Sequence, residues 1–338
     1  MTDEATLAPG EPVDLDNCAR EPIHIPGSIQ PRGVLLIVHD DTVVQATTSV
    51  TELLGRQVAE LIGAPLHEAV GPGAAAAIAG HVAAPGDVRE RNPILVQLPD
   101  GTPCHALAHH PPGTDEIIAV ELEPAPGDRP LTYGDTYQRI RPSLGALNRA
   151  GSLTELYDVA AREVRALTGF DRVMVYRFDA DHNGQVVAEA KRADLNSFYG
   201  LHYPATDIPA QARALYEKNW IRLISDVGYT PSLLVPTDNP VTGAPLDLTY
   251  ATLRSVSPIH IEYLQNMGVT ASMSISLLED GKLWGLIACH HYSGPHAPSH
   301  GARAAAEFLG SVLSLRLVAQ VEEDRITSAR RVAGDLAG

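Results

Sequence analysis

A short stretch rich in proline and glycine, PAPGDRP at 124–130, divides the chain into two segments that each combine strand and helix patterns. Proline and glycine at this density favour turns and irregular structure over the interiors of helices or strands. The 338 residues suffice for about two domains, each with its own hydrophobic core. The sequence therefore predicts two α+β domains joined at this linker.

The first segment is dominated by strand patterns. GVLLIVHDDTVVQAT at 33–47 predicts two strands with a turn near Asp40 and Asp41, and the runs ILVQL, HALAHH and EIIAVELE between 93 and 123 predict further strands. Between them, SVTELLGRQVAELIG is predicted to be helical, because apolar residues recur at helical spacing and Ser49 with Glu52 fits a capping box.

The second segment alternates helix and strand patterns. Helices are predicted over about 134–148, 153–168 and 209–219, with Ser152 as a cap and Gly169 as a stop signal for the second. Strands are predicted at 171–178, 185–190, 271–278 and 282–291, the last two forming a hairpin around Glu279, Asp280 and Gly281. A long helix begins near residue 300 and carries a stripe of Phe308, Val312 and Leu315, which we interpret as either a dimer seam or part of the core.

The charge balance excludes some classes of partner. The chain has 25 basic and 41 acidic residues and a formal net charge of −16, which argues against binding to nucleic acid or to an anionic membrane surface. Residues 1–15 do not resemble a signal peptide, and no run approaches the roughly 18 apolar residues of a membrane span. We expect a cytoplasmic protein.

The three cysteines differ in their surroundings. Cys104 and Cys289 lie in apolar, strand-like runs, where a thiol usually packs as a small hydrophobic side chain. Cys18 has polar and charged neighbours that should keep it near water. The spacing fits neither a disulfide framework nor a CxxC site, and no HExxH, GxSxG or phosphate-binding glycine motif is found. We therefore do not expect an enzyme.

Three polar patterns are candidate binding features. In ASMSISLL the serines Ser272, Ser274 and Ser276 share one strand face, which is either exposed or turned to a polar ligand. The neighbouring apolar strand ends at His290, whose burial would require a hydrogen-bond partner.

The other two patterns are LRSVSPIHIEYLQNMG and HYPATDIP. The first collects Arg254, Ser257, His260 and Tyr263, and an arginine there is either a surface residue or a ligand for a carboxylate or phosphate. In the second, Asp207 lies between two prolines and either caps the following helix or faces a ligand.

Five motifs together resemble the chromophore-binding part of a bacteriophytochrome. They are Cys18 followed by EPIHIPGSIQPRG, TGFDRVMVYRF, YPATDIPAQARALY, LRSVSPIHIEYLQNMGV and KLWGLIACHH, in the family's order between about residues 14 and 320. The resemblance implies a tail at 1–20, a PAS domain at 21–125, a GAF domain at 126–325 and, at 326–338, the start of a helix leading to a PHY domain absent from this chain. In this family the tail threads through a loop of the GAF domain as a figure-of-eight knot, an exception to the rule that chains do not thread loops.

The resemblance also implies the cofactor and its attachment. The cofactor is a linear tetrapyrrole, and plant and cyanobacterial relatives carry a cysteine just before the histidine of SPIH, where this chain has Ile259. The family pattern then assigns a thioether to Cys18 and the cofactor biliverdin IXα.

The family's binding residues transfer to matching positions. Arg222, Arg254, Tyr216 and Ser257 are expected near one propionate; Ser272 and Ser274 near the other, with His290 close to it and to the D-ring carbonyl. Asp207, through its backbone carbonyl, and His260 are expected to hold the pyrrole N–H groups. Met174, Tyr176, Phe198, Tyr203 and Tyr263 are expected around the D ring. Ile208, Pro209 and Ile259 complete the set expected at the cofactor.

The resemblance implies a red/far-red photoreceptor module in which the D ring of biliverdin rotates after light absorption. It further implies a homodimer formed through GAF helices, and a full-length relative with PHY and histidine kinase or other output domains. The alternative is a GAF module that binds another small anionic ligand without photochemistry, which would leave Cys18 unexplained.

Overall fold

The structure, a computed structural model, describes residues 20–125 and 133–335. The chain forms two compact units that are not contiguous in sequence. Unit 1 comprises Met1–Pro130, Ala210–Asn219 and Ile224–Val269, and unit 2 comprises Leu131–Pro209, Trp220–Leu223 and Thr270–Gly338. These units cut across the domain boundary expected near residue 125, because part of the second segment packs with the first.

The secondary structure follows the predicted order with a few additions. The strands are β1 (Ser28–Ile29), β2 (Val34–His39), β3 (Thr42–Thr47), β4 (Ile94–Gln97), β5 (Pro103–His109), β6 (Ile118–Pro124), β7 (Arg172–Phe178), β8 (Gly184–Lys191), β9 (His202–Tyr203), β10 (Ile221–Ile224), β11 (Ser232–Val235), β12 (Ala271–Glu279) and β13 (Lys282–His291). The helices are α1 (Val50–Leu54), α2 (Val58–Leu61), α3 (Leu66–Val70), α4 (Pro72–Ala83), α5 (Tyr133–Arg149), α6 (Leu153–Thr168), α7 (Ala210–Lys218), α8 (Pro258–Asn266) and α9 (His300–Asp335), with short 3-10 helices at Val88–Arg91 and Ala205–Asp207.

Unit 1 is built on an antiparallel sheet in the order β1-β11-β3-β2-β6-β5-β4. Side chains alternate across β2: Val34 and Leu36 pack with helices α1 to α4 on one face, and Leu35 and Ile37 pack on the other. That second face holds a cluster with residues from three distant parts of the chain, which we call the rear cluster: Ile29, Leu35, Ile37, Ile117, Ala119, Leu234, Leu246, Leu248, Ala251 and Leu253.

The N-terminal segment of unit 1 is hydrogen-bonded on both of its sides. β1 pairs with β11, and Ile29 also forms a bridge with Arg254. The amide of Gln30 donates to the carbonyl of Leu253 at 2.7 Å, and the amide of Ser255 donates to the carbonyl of Ser28 at 3.1 Å. The expected knot remains a prediction, and this pairing is compatible with it.

Unit 2 is built on an antiparallel sheet in the order β10-β12-β13-β7-β8-β9. One face packs against α5, α6 and α9 in a single apolar cluster, to which alternate residues of β12 contribute: Met273, Ile275 and Leu277. Leu309 and Leu313 of α9 join the same core, whereas Phe308 and Leu315 are exposed in this chain by 46% and 73%. The stripe predicted on α9 is therefore mixed, with Val312 packed against the core.

One predicted helix is wrong in its extent. The helical pattern at 49–63 forms α1 and α2 instead of one helix, because Gly55 adopts a left-handed conformation with φ of 64°. The hydroxyl of Ser49 does not cap α1 but donates to the carbonyl of Gly33 at 2.8 Å. Gln57 and Glu60 form a capping box at α2 instead.

Other predictions from local pattern are confirmed. The Asp40–Asp41 turn has positive φ at both residues, and Ser152 accepts a hydrogen bond from the amide of Glu155 at the start of α6. Cys104 and Cys289 are buried. In the part of the chain that the structure describes, no helix is long and apolar enough to cross a membrane. Cys18 and residues 126–130 of the predicted linker lie outside that part.

Candidate functional site

The face of the unit 2 sheet turned away from the helices carries a polar row. Ser272 is the register partner of His290, and Ser274 and Met174 both lie opposite Ala288. Directly opposed residues of neighbouring strands share a face, so these side chains belong to one surface. Ser272 and Ser274 are half-buried, and His290 is 8% exposed. The structure therefore confirms the predicted row of hydroxyls and the burial of His290 beside it.

Aromatic side chains occupy the far end of the same face. The ring of Tyr176 meets Phe178 edge to face, with 5.2 Å between ring centroids, and lies tilted against Tyr203 at 5.9 Å. Burial raises the pKa of Tyr176, and Asp207 and Tyr203 raise it further, so the phenol stays protonated and can donate a hydrogen bond. Burial likewise raises the pKa of Tyr203.

Gly184 makes room for the Tyr176 ring. A Cβ atom built on Gly184 would coincide with the ring atoms of Tyr176, so no larger residue fits while the ring keeps this position. The first position of β8 therefore needs glycine for close packing, which is one of the recognised uses of glycine in a sheet.

Phe198 is held by a buried ion pair. Arg172 and Glu189 form this pair with side-chain exposures of 2% and 4%. The guanidinium carbon of Arg172 lies 3.7 Å from the centroid of the Phe198 ring, and both carboxylate oxygens of Glu189 accept from the amide of Phe198 at 3.1 Å. Arg172 also donates to the hydroxyl of Tyr292 at 3.0 Å. Ring and backbone of Phe198 are thus both fixed.

The segment predicted as HYPATDIP forms β9 and a single 3-10 turn. Asp207 ends this turn, and its amide donates to the carbonyl of Pro204 at 3.1 Å. Ile208 and Pro209 follow and lead into α7, which carries Tyr216. The contact of Asp207 with a ligand stays a prediction. Arg222 lies on β10 and is half-buried.

Arg254 is buried in unit 1, not exposed on a loop. It is 5% exposed, and its Nη1 donates to the carbonyls of Leu248 and Thr249 at 3.0 Å and 2.9 Å. The interpretation of Arg254 as a surface residue is therefore wrong. Its backbone bridges to Ile29, and the preceding Leu253 belongs to the rear cluster.

The polar residues that follow Arg254 contact the N-terminal segment. Ser255 and Ser28 join through their hydroxyls at 2.9 Å, and Ser257 donates to a carboxylate oxygen of Glu21 at 2.5 Å. Burial raises the pKa of Glu21, and the hydrogen bond from Ser257 offsets part of that increase. Glu21 lies three positions after Cys18, so the described chain next to that cysteine is tied to Ser257.

Helix α8 carries the remaining predicted residues of unit 1. Pro258 and Ile259 open the helix, and the rings of His260 and Tyr263 stack one turn apart, 6.2 Å between centroids with an interplanar angle of 14°. Residues three positions apart are neighbours on a helix surface, so contact between these two side chains is expected. The two rings therefore share one face of α8, and their expected contacts with a cofactor stay a prediction.

Four of the residues described above were not predicted from the sequence: Glu21, Arg172, Gly184 and Glu189. A signal was present for two of them, because Arg172 and Glu189 place charges in apolar strand patterns, where a buried charge needs a partner. Among the residues that the structure describes, no group of His, Cys, Asp or Glu could hold a metal ion.

Two family descriptions match the chain. The description "PAS fold" matches residues 18–125, and "GAF domain" matches residues 152–319. Cyanobacterial phytochrome B of Nostoc sp. is 43% identical over 317 residues, which cover 92% of this chain and 42% of that protein. Bacteriophytochrome of Xanthomonas campestris pv. campestris is 43% identical over 315 residues, which cover 90% of this chain and 48% of that protein. The chain thus spans under half the length of these two curated relatives.

Solved structures show the same fold. The wild-type chromophore-binding domain of Stigmatella aurantiaca phytochrome matches with a TM-score of 0.80 at 42% identity, covering 88% of this chain and 98% of that one. A wild-type photosensory core module of Stigmatella aurantiaca phytochrome matches with a TM-score of 0.84 at 43% identity, covering 96% of this chain and 64% of that one. The match therefore extends over nearly the whole of the solved chromophore-binding domain.

Proposed function

Because this chain belongs to the phytochrome family, we propose that it is a red/far-red photoreceptor module whose cofactor is biliverdin IXα. The observation that carries the proposal is the polar and aromatic face of the unit 2 sheet, where Ser272 and Ser274 are half-buried beside His290. The second face of an antiparallel sheet is often polar and open to solvent, whereas His290 and Tyr176 on this face are only 8% and 7% exposed. A sheltered face of this kind suits a ligand that has carboxylates and an extended conjugated body.

The polar residues fit the two propionates of a bilin. On unit 2, Ser272, Ser274 and His290 offer donors for one carboxylate. Arg222, Arg254, Tyr216 and Ser257 are proposed for the other, with the arginines making charge-assisted hydrogen bonds, which are stronger than neutral ones. Asp207 would accept from the pyrrole N–H groups through its backbone carbonyl, and His260 would help retain their protons.

When bound, biliverdin supplies the conjugated system that absorbs red light and whose D ring turns about a methine double bond. Met174, Tyr176, Phe198, Tyr203 and Tyr263 are proposed to surround that ring, next to Ile208, Pro209 and Ile259. Arg172 and Glu189 keep Phe198 in place, and the protonated phenol of Tyr176 remains a donor. These residues would define the space in which the ring moves.

Cys18 is proposed as the covalent anchor, through a thioether. Supporting this choice, Cys104 and Cys289 are buried, and burial raises the pKa of Cys104 to about 11, which disfavours the reactive thiolate. The position before His260 is Ile259, which has no thiol. Glu21 links the chain just after Cys18 to Ser257.

We further propose a cytoplasmic homodimer that forms through GAF helices, in which exposed Phe308 and Leu315 of α9 would contribute apolar surface. In a full-length relative the signal would pass to PHY and histidine kinase or other output domains. Sedimentation of wild type and Leu315→Glu at two concentrations tests the dimer: the substitution should lower the sedimentation coefficient, and a concentration-independent monomer in both would refute it.

Assembly with biliverdin tests the photoreceptor proposal. Purified apoprotein should gain a far-red band that survives denaturation, and a red flash should change the spectrum reversibly. Cys18→Ala should keep the band but lose the attachment, while the matched control Cys104→Ala should keep both. Attachment in Cys18→Ala would refute the anchor. A stable bilin band that red light never alters would refute photoconversion, whereas the absence of any bilin band would favour a module that binds another small anionic ligand.

A further inference from the structure

A buried carboxylate of the PAS-fold sheet contacts the chain immediately before Arg254. Glu121 lies on β6 with 0% exposure, opposite Leu35 and Leu107 on the neighbouring strands. Its side chain therefore lies on the side of the rear cluster, among apolar groups. A carboxylate in such surroundings is costly unless several donors satisfy its oxygens.

Two consecutive residues supply these donors. The amide of Thr252 donates to one oxygen of Glu121 at 2.9 Å, and the Thr252 hydroxyl and the Leu253 amide donate to the other at 3.0 Å and 2.6 Å. Burial raises the pKa of Glu121, and these hydrogen bonds together with Arg32 act in the opposite direction. The contact fixes the backbone at both positions that precede Arg254.

The contact leaves Arg254 with little freedom. Its backbone is bridged to Ile29 on one side, while its Nη1 is bound to the carbonyls of Leu248 and Thr249. The carbonyls of Leu248 and Thr249 hold one end of the guanidinium, and the Glu121 side chain binds both residues that precede Arg254. A change at Glu121 should therefore be felt at Arg254.

We infer that Glu121 is a positioning residue for Arg254, through which the PAS-fold sheet controls recognition of a bilin carboxylate. The inference rests on the proposed function, in which Arg254 binds a propionate. Glu121 itself would not touch the cofactor. Its role is to keep the Thr252 and Leu253 amides paired, because Gln at this position would offer one acceptor oxygen and would set an NH₂ group against at least one of the donors.

Biliverdin and its dimethyl ester separate this role from a general loss of structure. The ester keeps the conjugated body and loses both negative charges, so a defect transmitted through Arg254 should appear with the acid only. Binding is measured in the Cys18→Ala background by titrating the far-red band, since attachment would otherwise hide the equilibrium. The variants are Glu121→Gln and the control Glu116→Gln, which lies at an exposed position just before the same strand.

Glu121→Gln should weaken binding of the acid by about tenfold, as expected for loss of charge-assisted hydrogen bonds, and change ester binding less than about threefold. Glu116→Gln should change neither. Adding Glu121→Gln to Arg254→Gln should give no further loss for the acid, because both act on one interaction. An equal loss for acid and ester, no loss for either, or additive losses would overturn the inference.

A milder variant covers the case in which Glu121→Gln does not fold. Thr252→Val removes one of the three donors and should produce a smaller loss with the same preference for the acid; equal effects on both ligands would overturn the inference. A protein that binds neither ligand contradicts the proposed function itself. A wild type that binds acid and ester equally well shows that Arg254 does not recognise a carboxylate, and it overturns the inference while leaving the photoreceptor proposal standing.

Discussion

Ser257 donates its hydroxyl hydrogen to Glu21, with 2.5 Å between Ser257 Oγ and Glu21 Oε2, although 236 positions separate the two residues. Together with the Ser28–Ser255 contact, it joins the N-terminal segment to the chain that carries Arg254. The chain three positions after the proposed covalent anchor is therefore attached to a proposed binding residue before any ligand is considered.

Glu21→Ala should slow covalent attachment of biliverdin. A hydrogen bond worth about 1 kcal/mol corresponds to roughly a fivefold loss of rate if it serves only to hold the segment in place. The measurement is the time course of denaturation-resistant pigment on a gel. Glu52→Ala, at an exposed position of α1, is the control and should attach at the wild-type rate. Equal rates for both variants would contradict the prediction.

Gly184→Ala should destabilise unit 2 by about 1–3 kcal/mol, the usual cost of overpacking, because its Cβ coincides with the Tyr176 ring. Urea unfolding measures the change. Most of the cost should disappear when Tyr176→Ala is combined with it, since the clash is then absent. Gly80→Ala in α4, where a Cβ meets no atom within 4 Å, should be neutral or slightly stabilising. Equal costs with and without the tyrosine ring would be inconsistent with this packing.

Glu189→Gln should cost about 3–5 kcal/mol, because it leaves the buried Arg172 charge without its partner. Urea unfolding again provides the measurement. Arg172→Met combined with Glu189→Leu should cost less than the single change, since no lone charge is then buried. The exposed pair of Arg56 and Glu60 is the control, and Glu60→Gln should have no measurable effect. A negligible effect of Glu189→Gln would show that Arg172 finds other compensation.

His109 should make the protein sensitive to acid. Burial, followed by nearby Arg89, lowers its pKa to about 3, and its ring meets Tyr250 edge to face at 6.2 Å. The unfolded chain protonates this histidine below about pH 6.5 and the folded chain does not, so unfolding takes up a proton. Stability should fall by about 1.4 kcal/mol for each pH unit between about 6.5 and 3 on account of this residue.

The variant His109→Phe keeps a ring beside Tyr250 and cannot titrate. Urea unfolding from pH 8 to pH 4 should show a constant difference between wild type and variant above pH 7. Below pH 6.5 wild type should lose stability faster than the variant. Parallel curves over the whole range would mean that His109 takes up its proton equally in both states.

Local patterns in the sequence predicted the longer strands and the helices of unit 2, as well as the serine row on β12. Period-2 alternation is set by neighbours along the chain, so Ser272 and Ser274 could be assigned to one face without knowing the fold. The split between α1 and α2 was missed because one glycine, Gly55, takes a left-handed conformation within an otherwise helical pattern.

Local patterns could not predict which distant strands pair with each other. β11 is only four residues long, and its partners β1 and β3 lie far earlier in the chain, so nothing local marks SLLV as the strand that joins them. Glu121 is a similar case: its sequence neighbours suggest a strand facing apolar groups, and only the arrival of Thr252 and Leu253 explains a carboxylate there. Both β11 and Glu121 lie where segments that are distant in sequence meet.

The position of β11 in the unit 1 sheet affects how the protein is synthesised. The backbone of β3 pairs with Leu234 and Val235, and the rear cluster needs Leu234, Leu246, Leu248 and Leu253. Ribosomal synthesis delivers these residues only after about the first half of unit 2. Until then the nascent chain presents an unpaired sheet edge and a bare apolar face, features that promote aggregation. Folding of unit 1 must therefore await translation of its last third, and chaperone demand should be greatest in that interval.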